Sequence, residues 1–329
     1  MLEHGGQLRA AAQRYGSAPA DWVDLSTGIN AHAYPVPAID PACWRRLPED
    51  GDGLEAAAAA YYGNGRLLVL AGSPVVTRAL PTLFAPAAVA FLTPAYDDQT
   101  QAWERAGHRL RRLPTLQRAL AAATPVVVLS NPNKLSAATL PRAVLLAAAA
   151  DLARRGGWLI VDEGFADAEP GNCVTPLAGA AEAPRLIALR SLGEFFGLAG
   201  ARVGFIFGAA EKLIPLRELI GPWPVAHPSR AVARQALQDT AWQGTMCAML
   251  AASSRRLADC LAPLGEVSRT AQFCALSTPY WGALAEHFAR RAILVRSFEA
   301  CELLRVGLPA AEGEWQRLAA AVAEWRAPC

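Results

Sequence analysis

Two segments of this chain carry residues suited to binding a phosphate group. The apolar run Leu67–Leu70 leads into Gly72-Ser73, a small turn whose backbone amides and hydroxyl could hold a phosphate where a helix begins. Ser191 and Arg202 flank a glycine-rich segment further along the chain, and both could bind the same anion. An ordinary strand-to-helix turn also explains Gly72 and Ser73, so the pattern alone leaves two interpretations open.

A ring and a carboxylate follow two other apolar runs. Tyr96 comes after Thr93-Pro94-Ala95, where it could stack on a planar ligand or simply pack. The run Trp158–Val161 leads into Asp162, which could face a ligand or cap a neighbouring helix. Because ligands of an open parallel sheet bind beyond the carboxyl ends of its strands, the order of these residues predicts one shared site.

The elements that must position these residues follow an α/β pattern. Helical spacing separates several of the apolar runs, as in Pro141–Ala153, for which Thr139 is the predicted cap. Strands that alternate with helices predict a mostly parallel sheet covered on both faces. The six predicted strands are Leu67–Leu70, Ala87–Leu92, Val126–Leu129, Trp158–Val161, Leu186–Leu189 and Val203–Phe207.

The character of the chain changes after Gly208. Gly221-Pro222-Trp223-Pro224 breaks the pattern, and a long helical stretch is predicted over Ser229–Leu264. We therefore expect a large cofactor-type domain over 45–210 and a smaller α+β domain over 211–329. Residues 1–44 are expected to form an N-terminal arm that packs with the small domain.

Composition excludes several classes of protein. A net charge of +2 gives no electrostatic reason to expect nucleic acid or a membrane as a partner, and 53% apolar residues indicate a globular chain. The seven scattered cysteines suggest neither a disulfide framework nor a zinc site, so a reducing cytoplasm is expected and no metal is predicted. Lys134 and Lys212 are the only lysines, and Lys212 is expected to lie on the solvated surface.

Motifs along the whole chain resemble those of one enzyme superfamily. They are His4-Gly5-Gly6, Asp24-Leu25-Ser26-Thr27-Gly28-Ile29-Asn30, Trp44-Arg45-Arg46-Leu47-Pro48, Tyr61-Tyr62-Gly63, Ala106-Gly107-His108, Gly156-Gly157-Trp158, Gly221-Pro222-Trp223 and Leu304-Arg305-Val306-Gly307-Leu308-Pro309. The chain is similar to the fold-type I pyridoxal-phosphate enzymes, the aspartate aminotransferase superfamily. Within it, the chain more closely resembles the L-threonine-O-3-phosphate decarboxylases of cobalamin biosynthesis, relatives of histidinol-phosphate aminotransferase.

The resemblance implies a fold-type I transferase fold, the cofactor pyridoxal phosphate and a set of binding residues. The cofactor phosphate would lie among four of them, Tyr96 would stack on the pyridine ring, and Asp162 would pair with the ring nitrogen and keep it protonated. Arg305 would bind a substrate anion through two parallel contacts. The four residues of the phosphate cup are Gly72, Ser73, Ser191 and Arg202. The remaining residues implied for the substrate pocket are Arg296, Asn30 and His4.

The sequence departs from the family where covalent chemistry should occur. Glu194 stands where the family has the lysine that forms an imine with the cofactor, and only an amine can form that bond. Lys134 stands where an asparagine would contact the phenolic oxygen of the cofactor. We therefore expect the ordinary reaction to be lost or nearly so, and the sequence leaves open whether this chain is an enzyme.

Three interpretations follow from these departures. In the first, the protein is a degenerate member in which Lys134 and Glu194 form an ion pair, and which keeps a phosphate pocket for a phosphorylated amino-acid ligand or acts as an interaction partner. In the second, Lys134 is a relocated imine lysine and Glu194 an acid or base near Cα. In the third, the protein is an active decarboxylase whose two unusual residues do not reflect its natural sequence. Proteins of this fold usually dimerise, so a homodimer is expected.

Overall fold

The structure, a computed structural model, describes residues 5–327. Eleven α-helices lie within that range, and the longest spans 22 residues. They are α1 (Leu8–Tyr15), α2 (Leu54–Tyr62), α3 (Ser73–Ala79), α4 (Asp97–Arg105), α5 (Leu116–Ala121), α6 (Arg142–Arg154), α7 (Ala210–Ile220), α8 (His227–Gln238), α9 (Thr240–Leu261), α10 (Trp281–Ala289) and α11 (Glu312–Glu324). None of these helices is both long and apolar enough to cross a membrane.

Thirteen β-strands accompany the helices within the same range. They are β1 (Val23–Asp24), β2 (Leu67–Leu70), β3 (Ala88–Leu92), β4 (Arg109–Leu113), β5 (Val126–Ser130), β6 (Trp158–Asp162), β7 (Leu186–Ser191), β8 (Gly204–Phe207), β9 (Glu266–Arg269), β10 (Phe273–Ser277), β11 (Ile293–Leu294), β12 (Arg296–Phe298) and β13 (Leu303–Gly307).

A seven-stranded sheet has the order β2-β8-β7-β6-β5-β3-β4. All pairings from β7 to β4 are parallel, and β8 runs antiparallel to both of its neighbours. The central strands β5, β6 and β7 are almost wholly buried, as expected of continuous apolar runs that have helices on both faces. The six predicted strands and the mostly parallel sheet are confirmed.

Strand β4 was not predicted. Its sequence, Arg-Leu-Arg-Arg-Leu, carries three arginines and lies at one edge of the sheet, where it pairs only with β3. Charged side chains are usual on edge strands because they discourage pairing with other chains. The apolar signal that marks a buried strand is therefore missing from this one.

The chain divides into two compact units. Unit 2 comprises residues 33–134 and 139–244 and contains the seven-stranded sheet, whose apolar side chains form the core. Unit 1 comprises residues 1–32, 135–138 and 245–329. Within it, β12-β13-β10-β9 form an antiparallel sheet, and β1 pairs with β11 in parallel.

These units are divided at positions other than the expected boundaries at 44 and 210. Residues 211–244 belong with the large sheet, because α8 packs on α2 in the same unit. Arg230 of α8 makes a bidentate contact with Asp52, at 2.7 Å for each bond, and also binds Glu55. The division between units falls inside α9, at a place where the helical pattern is continuous.

Three local expectations need correction. Helix α6 begins after Pro141 with no side-chain cap, so Thr139 does not cap it. The helical stretch predicted over Ser229–Leu264 is two helices, which separate at Asp239. Lys212 is half-buried: its Nζ donates to the Leu83 carbonyl at 3.0 Å and lies 4.2 Å from the centroid of the Phe84 ring.

Candidate cofactor and ligand site

The residues predicted to bind phosphate lie close together because β8 lies between β2 and β7. Gly204, its first residue, is the register partner of the last residue of each neighbouring strand, one of which is Ser191. The segment that enters β8 contains Arg202, and the segment that leaves β2 contains Gly72 and Ser73. A Cβ added at Gly204 would lie 3.2 Å from the Ser73 nitrogen. The predicted cup is therefore assembled at one edge of the sheet.

Gly72 allows the Arg202 guanidinium to approach the turn closely. A Cβ at Gly72 would lie 2.7 Å from Arg202 Nη2, so a side chain and the guanidinium could not both occupy that space. Gly72 also has φ 78° and ψ 168°, a conformation essentially restricted to glycine. Arg202 itself has φ 54°, and its Nη1 donates to the Ala199 carbonyl at 3.0 Å. The backbone thus holds this cation beside the amino end of α3.

Asp162 is the last residue of β6, and both oxygens of its carboxylate have partners. Its Oδ2 lies 2.5 Å from Lys134 Nζ and accepts a hydrogen bond from Gln99 Nε2 at 2.7 Å. Its Oδ1 accepts from the Gly164 amide at 3.1 Å. The side chain is only 4% exposed, so these contacts take the place of water around the charge.

Lys134 contacts Asp162 because its loop follows β5, the strand beside β6. Ser130, the last residue of β5, is in register with Asp162, and the loop runs on to Lys134 four residues later. Burial alone would lower the pKa of Lys134, but Asp162 and then Glu194 raise that pKa above its ordinary value. Lys134 is therefore an ammonium ion, with Asp162 as its partner.

Glu194 lies beside the same pocket but does not form the expected ion pair. Burial is the main cause that raises its pKa, while the nearby Lys134 ammonium lowers it. Its Oε2 is buried and has no hydrogen-bond partner among residues 5–327. The ion pair in this pocket joins Lys134 to Asp162, which differs from the predicted pairing of Lys134 with Glu194.

The carboxylates of Asp162 and Glu194 both lie close to Gly164. A Cβ added there would lie 3.3 Å from Asp162 Oδ1 and 3.8 Å from Glu194 Oε1. The charge of Asp162 accordingly contributes to the raised pKa of Glu194. Tyr96 lies at the N-cap position of α4, partly buried, and its phenol acts electrostatically on Lys134. Asp162, Glu194, Lys134 and Tyr96 therefore share one environment.

The residues implied for substrate binding lie in unit 1. Arg296 of β12 and Arg305 of β13 are direct cross-strand partners, and Arg305 donates to the Ser26 carbonyl at 3.2 Å. Like charges placed directly opposite one another on a sheet are unfavourable, and a bound anion would relieve them. Asn30 is buried in this unit, and its Oδ1 accepts from the His32 amide at 2.9 Å. His4 lies outside the described residues.

Two residues that lie against these carboxylates were not predicted from the sequence. Gln99 lies in the first turn of α4, and nothing in its local sequence indicates that it reaches Asp162. Gly164 follows Asp162-Glu163 directly, so its position after the strand end was the one available signal.

A buried charged cluster beside the site was also missed. Arg190 lies 3.3 Å from Glu163 and 3.2 Å from Asp167, and its guanidinium packs over the ring of Tyr62. These four residues are buried, and Arg190 directly precedes Ser191 of the phosphate cup. Burial raises the pKa of Asp167, which Arg190 counteracts. These contacts hold the Arg190 side chain, near the end of β7, in the protein interior.

The residues fit pyridoxal phosphate at one end and fail to fit it at the other. The residues of the predicted cup lie together, and Gly72 lets the Arg202 guanidinium approach the turn closely. The carboxylate implied for the ring nitrogen is present but paired with Lys134, and position 194 offers no amine. The pocket is therefore suited to non-covalent binding of a phosphate-bearing ligand.

Fold and site together define a protein with the pyridoxal-phosphate-dependent aminotransferase fold. The sequence matches the aminotransferase class I and II family over residues 49–318. It is 45% identical to the threonine-phosphate decarboxylase of Pseudomonas aeruginosa over all of this chain and 99% of that one, and 38% identical to that of Sinorhizobium sp. over 98% of each. This chain belongs to the threonine-phosphate decarboxylase family.

A solved structure agrees with the fold. Histidinol-phosphate aminotransferase from Sinorhizobium meliloti, in complex with pyridoxal-5'-phosphate, superposes with a TM-score of 0.82. The two sequences are 21% identical, and the superposition covers 98% of this chain and 95% of the other. The predicted fold class and the dependence of the family on pyridoxal phosphate are both confirmed.

Proposed function

We propose that this protein is a threonine-phosphate-decarboxylase-like member of cobalamin biosynthesis that binds a phosphorylated ligand and has lost the ordinary covalent reaction. One observation carries the proposal: a carboxylate, Glu194, stands at the imine-lysine position, and the lysine of the pocket is paired with Asp162. Loss of a covalent nucleophile lowers the rate by several orders of magnitude.

Different residues of the pocket would contact the phosphate and the ring of a bound cofactor. Ser73, Ser191 and Arg202 would hold the phosphate group of pyridoxal phosphate, and Tyr96 would stack against its ring. When bound, that cofactor supplies an electron sink for bonds at the substrate Cα. Asp162 is shared between Lys134 and Gln99, so a ring nitrogen would have to compete for its Oδ2.

A phosphorylated amino acid is the substrate class that unit 1 favours. Arg296 and Arg305 present two guanidinium groups on one face of a sheet, which suits a phosphate or carboxylate bound through two contacts. Asn30 adds a buried amide in the same unit.

Restoring the missing amine tests this proposal. Wild-type protein should release no measurable carbon dioxide from L-threonine O-3-phosphate with pyridoxal phosphate present, because no imine lysine is available. Glu194→Lys should gain activity and an absorbance band of the protonated imine, whereas Glu211→Lys on the exposed surface of α7 should gain neither. Turnover by the wild type at an ordinary enzyme rate would contradict the loss of function.

Relocation of the imine to Lys134 is the second candidate. Lys134 is the lysine of this pocket, which favours the idea, but its raised pKa keeps the amine protonated and an ammonium ion is not nucleophilic. Borohydride reduction with pyridoxal phosphate, followed by peptide mapping, separates the candidates. A label on Lys134 supports relocation, and an unlabelled chain supports the degenerate protein.

We also propose that the protein is a cytoplasmic homodimer. Large apolar side chains are exposed in two segments of unit 2, at Trp44 and Leu47 and at Leu219 and Trp223. A groove lined by residues 48–50 and 220–224 joins the two segments. An apolar surface of this kind favours a protein partner, and a second copy of the chain is the one that the family implies.

A further inference from the structure

We propose that Glu194 gives the pocket a preference for phosphate monoesters that also carry a primary ammonium group, with pyridoxamine 5'-phosphate as the ligand of this class that fits a vitamin B6 pocket. This rests on the proposed function, since the pocket must hold its ligand without an imine. It assigns Glu194 the role of a ligand-selecting residue.

The charge at this end of the pocket is carried by Lys134, Asp162 and Glu194. Lys134 and Asp162 satisfy one another at 2.5 Å, whereas Glu194 Oε2 is buried and has no partner among residues 5–327. A buried carboxylate oxygen without a hydrogen-bond partner is unfavourable, and a cationic donor beside it would remove that penalty. What Glu194 lacks is therefore a donor at Oε2.

The donor that Glu194 lacks would lie close to the phosphate cup. Glu194 lies three residues after Ser191, which is itself a member of the predicted cup. The Ser191 Oγ accepts from the Gly193 amide at 3.1 Å, so the serine is fixed in place. Anion site and cation site are therefore adjacent, and a ligand must carry its phosphate and its amine on neighbouring arms.

The three phosphorylated forms of vitamin B6 differ in the group that would face Glu194. The aldehyde group of pyridoxal phosphate has no hydrogen to donate, and no lysine stands at position 194 to react with it. The alcohol of pyridoxine 5'-phosphate donates one uncharged hydrogen bond. The ammonium of pyridoxamine 5'-phosphate donates charge-assisted hydrogen bonds to a carboxylate, and these are about twice as strong as neutral ones.

Calorimetric titration of the full-length protein with the three vitamers tests the preference. Pyridoxamine 5'-phosphate should bind at least about tenfold more tightly than pyridoxal 5'-phosphate and pyridoxine 5'-phosphate, the factor that about 1.4 kcal/mol represents. Glu194→Gln, which keeps the shape and removes the charge, should abolish the difference. Glu211→Gln, on the exposed surface, should preserve it.

O-Phosphoethanolamine separates two sources of the same chemistry. If it binds as tightly as pyridoxamine 5'-phosphate and in a manner that Glu194→Gln weakens, the ligand is an amino-alcohol phosphate and the ring contributes nothing. Equal affinity of all three vitamers, or a preference that survives in Glu194→Gln, would overturn the inference. Borohydride labelling of Lys134 by pyridoxal phosphate would instead overturn the proposed function, so the two failures are distinguishable.

Discussion

The side chain at position 194 determines which chemistry this pocket can perform. A lysine at position 194 would supply a nucleophile, whereas Glu194 supplies a buried carboxylate whose Oε2 has no partner in the described part of the chain. The structure adds that the remaining positive charge, Lys134, is held by Asp162. In the function that we propose, these fixed charges stand in place of a reactive amine.

Glu194 should make the stability of the protein depend on pH in a predictable direction. Burial raises the pKa of Glu194 above the ordinary value of 4.5. Its favourable contribution to the free energy of unfolding is therefore present at low pH and is lost as the pH rises above that value. Glu194→Gln should consequently be more stable than wild type by about 1 kcal/mol at pH 8. The difference should shrink as the pH falls toward 5.

Denaturant unfolding at several pH values measures this difference, and Glu211→Gln on the surface provides the control. A gap that does not change with pH, or a Glu194→Gln protein less stable than wild type at pH 8, would show that the carboxylate is well solvated or paired.

At the scale of elements, the cup depends on the antiparallel strand β8. Because β8 starts between the ends of β2 and β7, Arg202, which lies just before this strand in the chain, lies beside the turn at Gly72. The guanidinium occupies the space that a Cβ at Gly72 would take. The phosphate binding that we propose would therefore depend on three strands together, and one added methyl group would disturb it.

Gly72→Ala should both destabilise the protein and weaken its response to phosphate. The conformation at this position is essentially limited to glycine, so alanine should cost about 1–3 kcal/mol. Arg202 must also move away from the added methyl group. Inorganic phosphate should raise the melting temperature of wild type and have little effect on this variant.

Gly65→Ala is the matched control, because a Cβ there meets nothing within 4 Å. If Gly72→Ala retained the full phosphate-dependent rise in melting temperature, the cup would not depend on the close approach of Arg202.

The sequence predicted the central strands well and the site only in part. Runs such as Val126–Leu129 can be recognised as strands from the sequence, because a strand buried on both faces must be apolar throughout. The exposed strand β4 carries no such signal. The pairing of Lys134 with Asp162 could not be predicted either, since it depends on the register of β5 beside β6.

At the scale of the whole molecule, exposed apolar surface supports the proposed homodimer. Trp223 is 57% exposed and Trp44 72% exposed, unusual values for side chains that are normally among the more buried. Trp223→Asp should shift the dimer toward monomer, because a charge at an apolar interface must be desolvated without a partner.

Light scattering coupled to size exclusion measures that shift over a range of protein concentrations. Val144→Asp on α6, another exposed apolar position in unit 2, should leave the mass unchanged. A wild-type protein that is monomeric at micromolar concentration, or two variants that behave alike, would contradict a dimer built on this surface.

The contacts of the two lysines also determine how each side-chain amine reacts with acylating reagents. Lys212 has a pKa lowered by burial, so a larger fraction is the reactive free amine, whereas Lys134 is kept protonated by Asp162. Acylation should therefore reach Lys212 first and Lys134 last. A ligand that displaced Lys134 from Asp162 would accelerate acylation at that one position, with Lys212 as the internal standard.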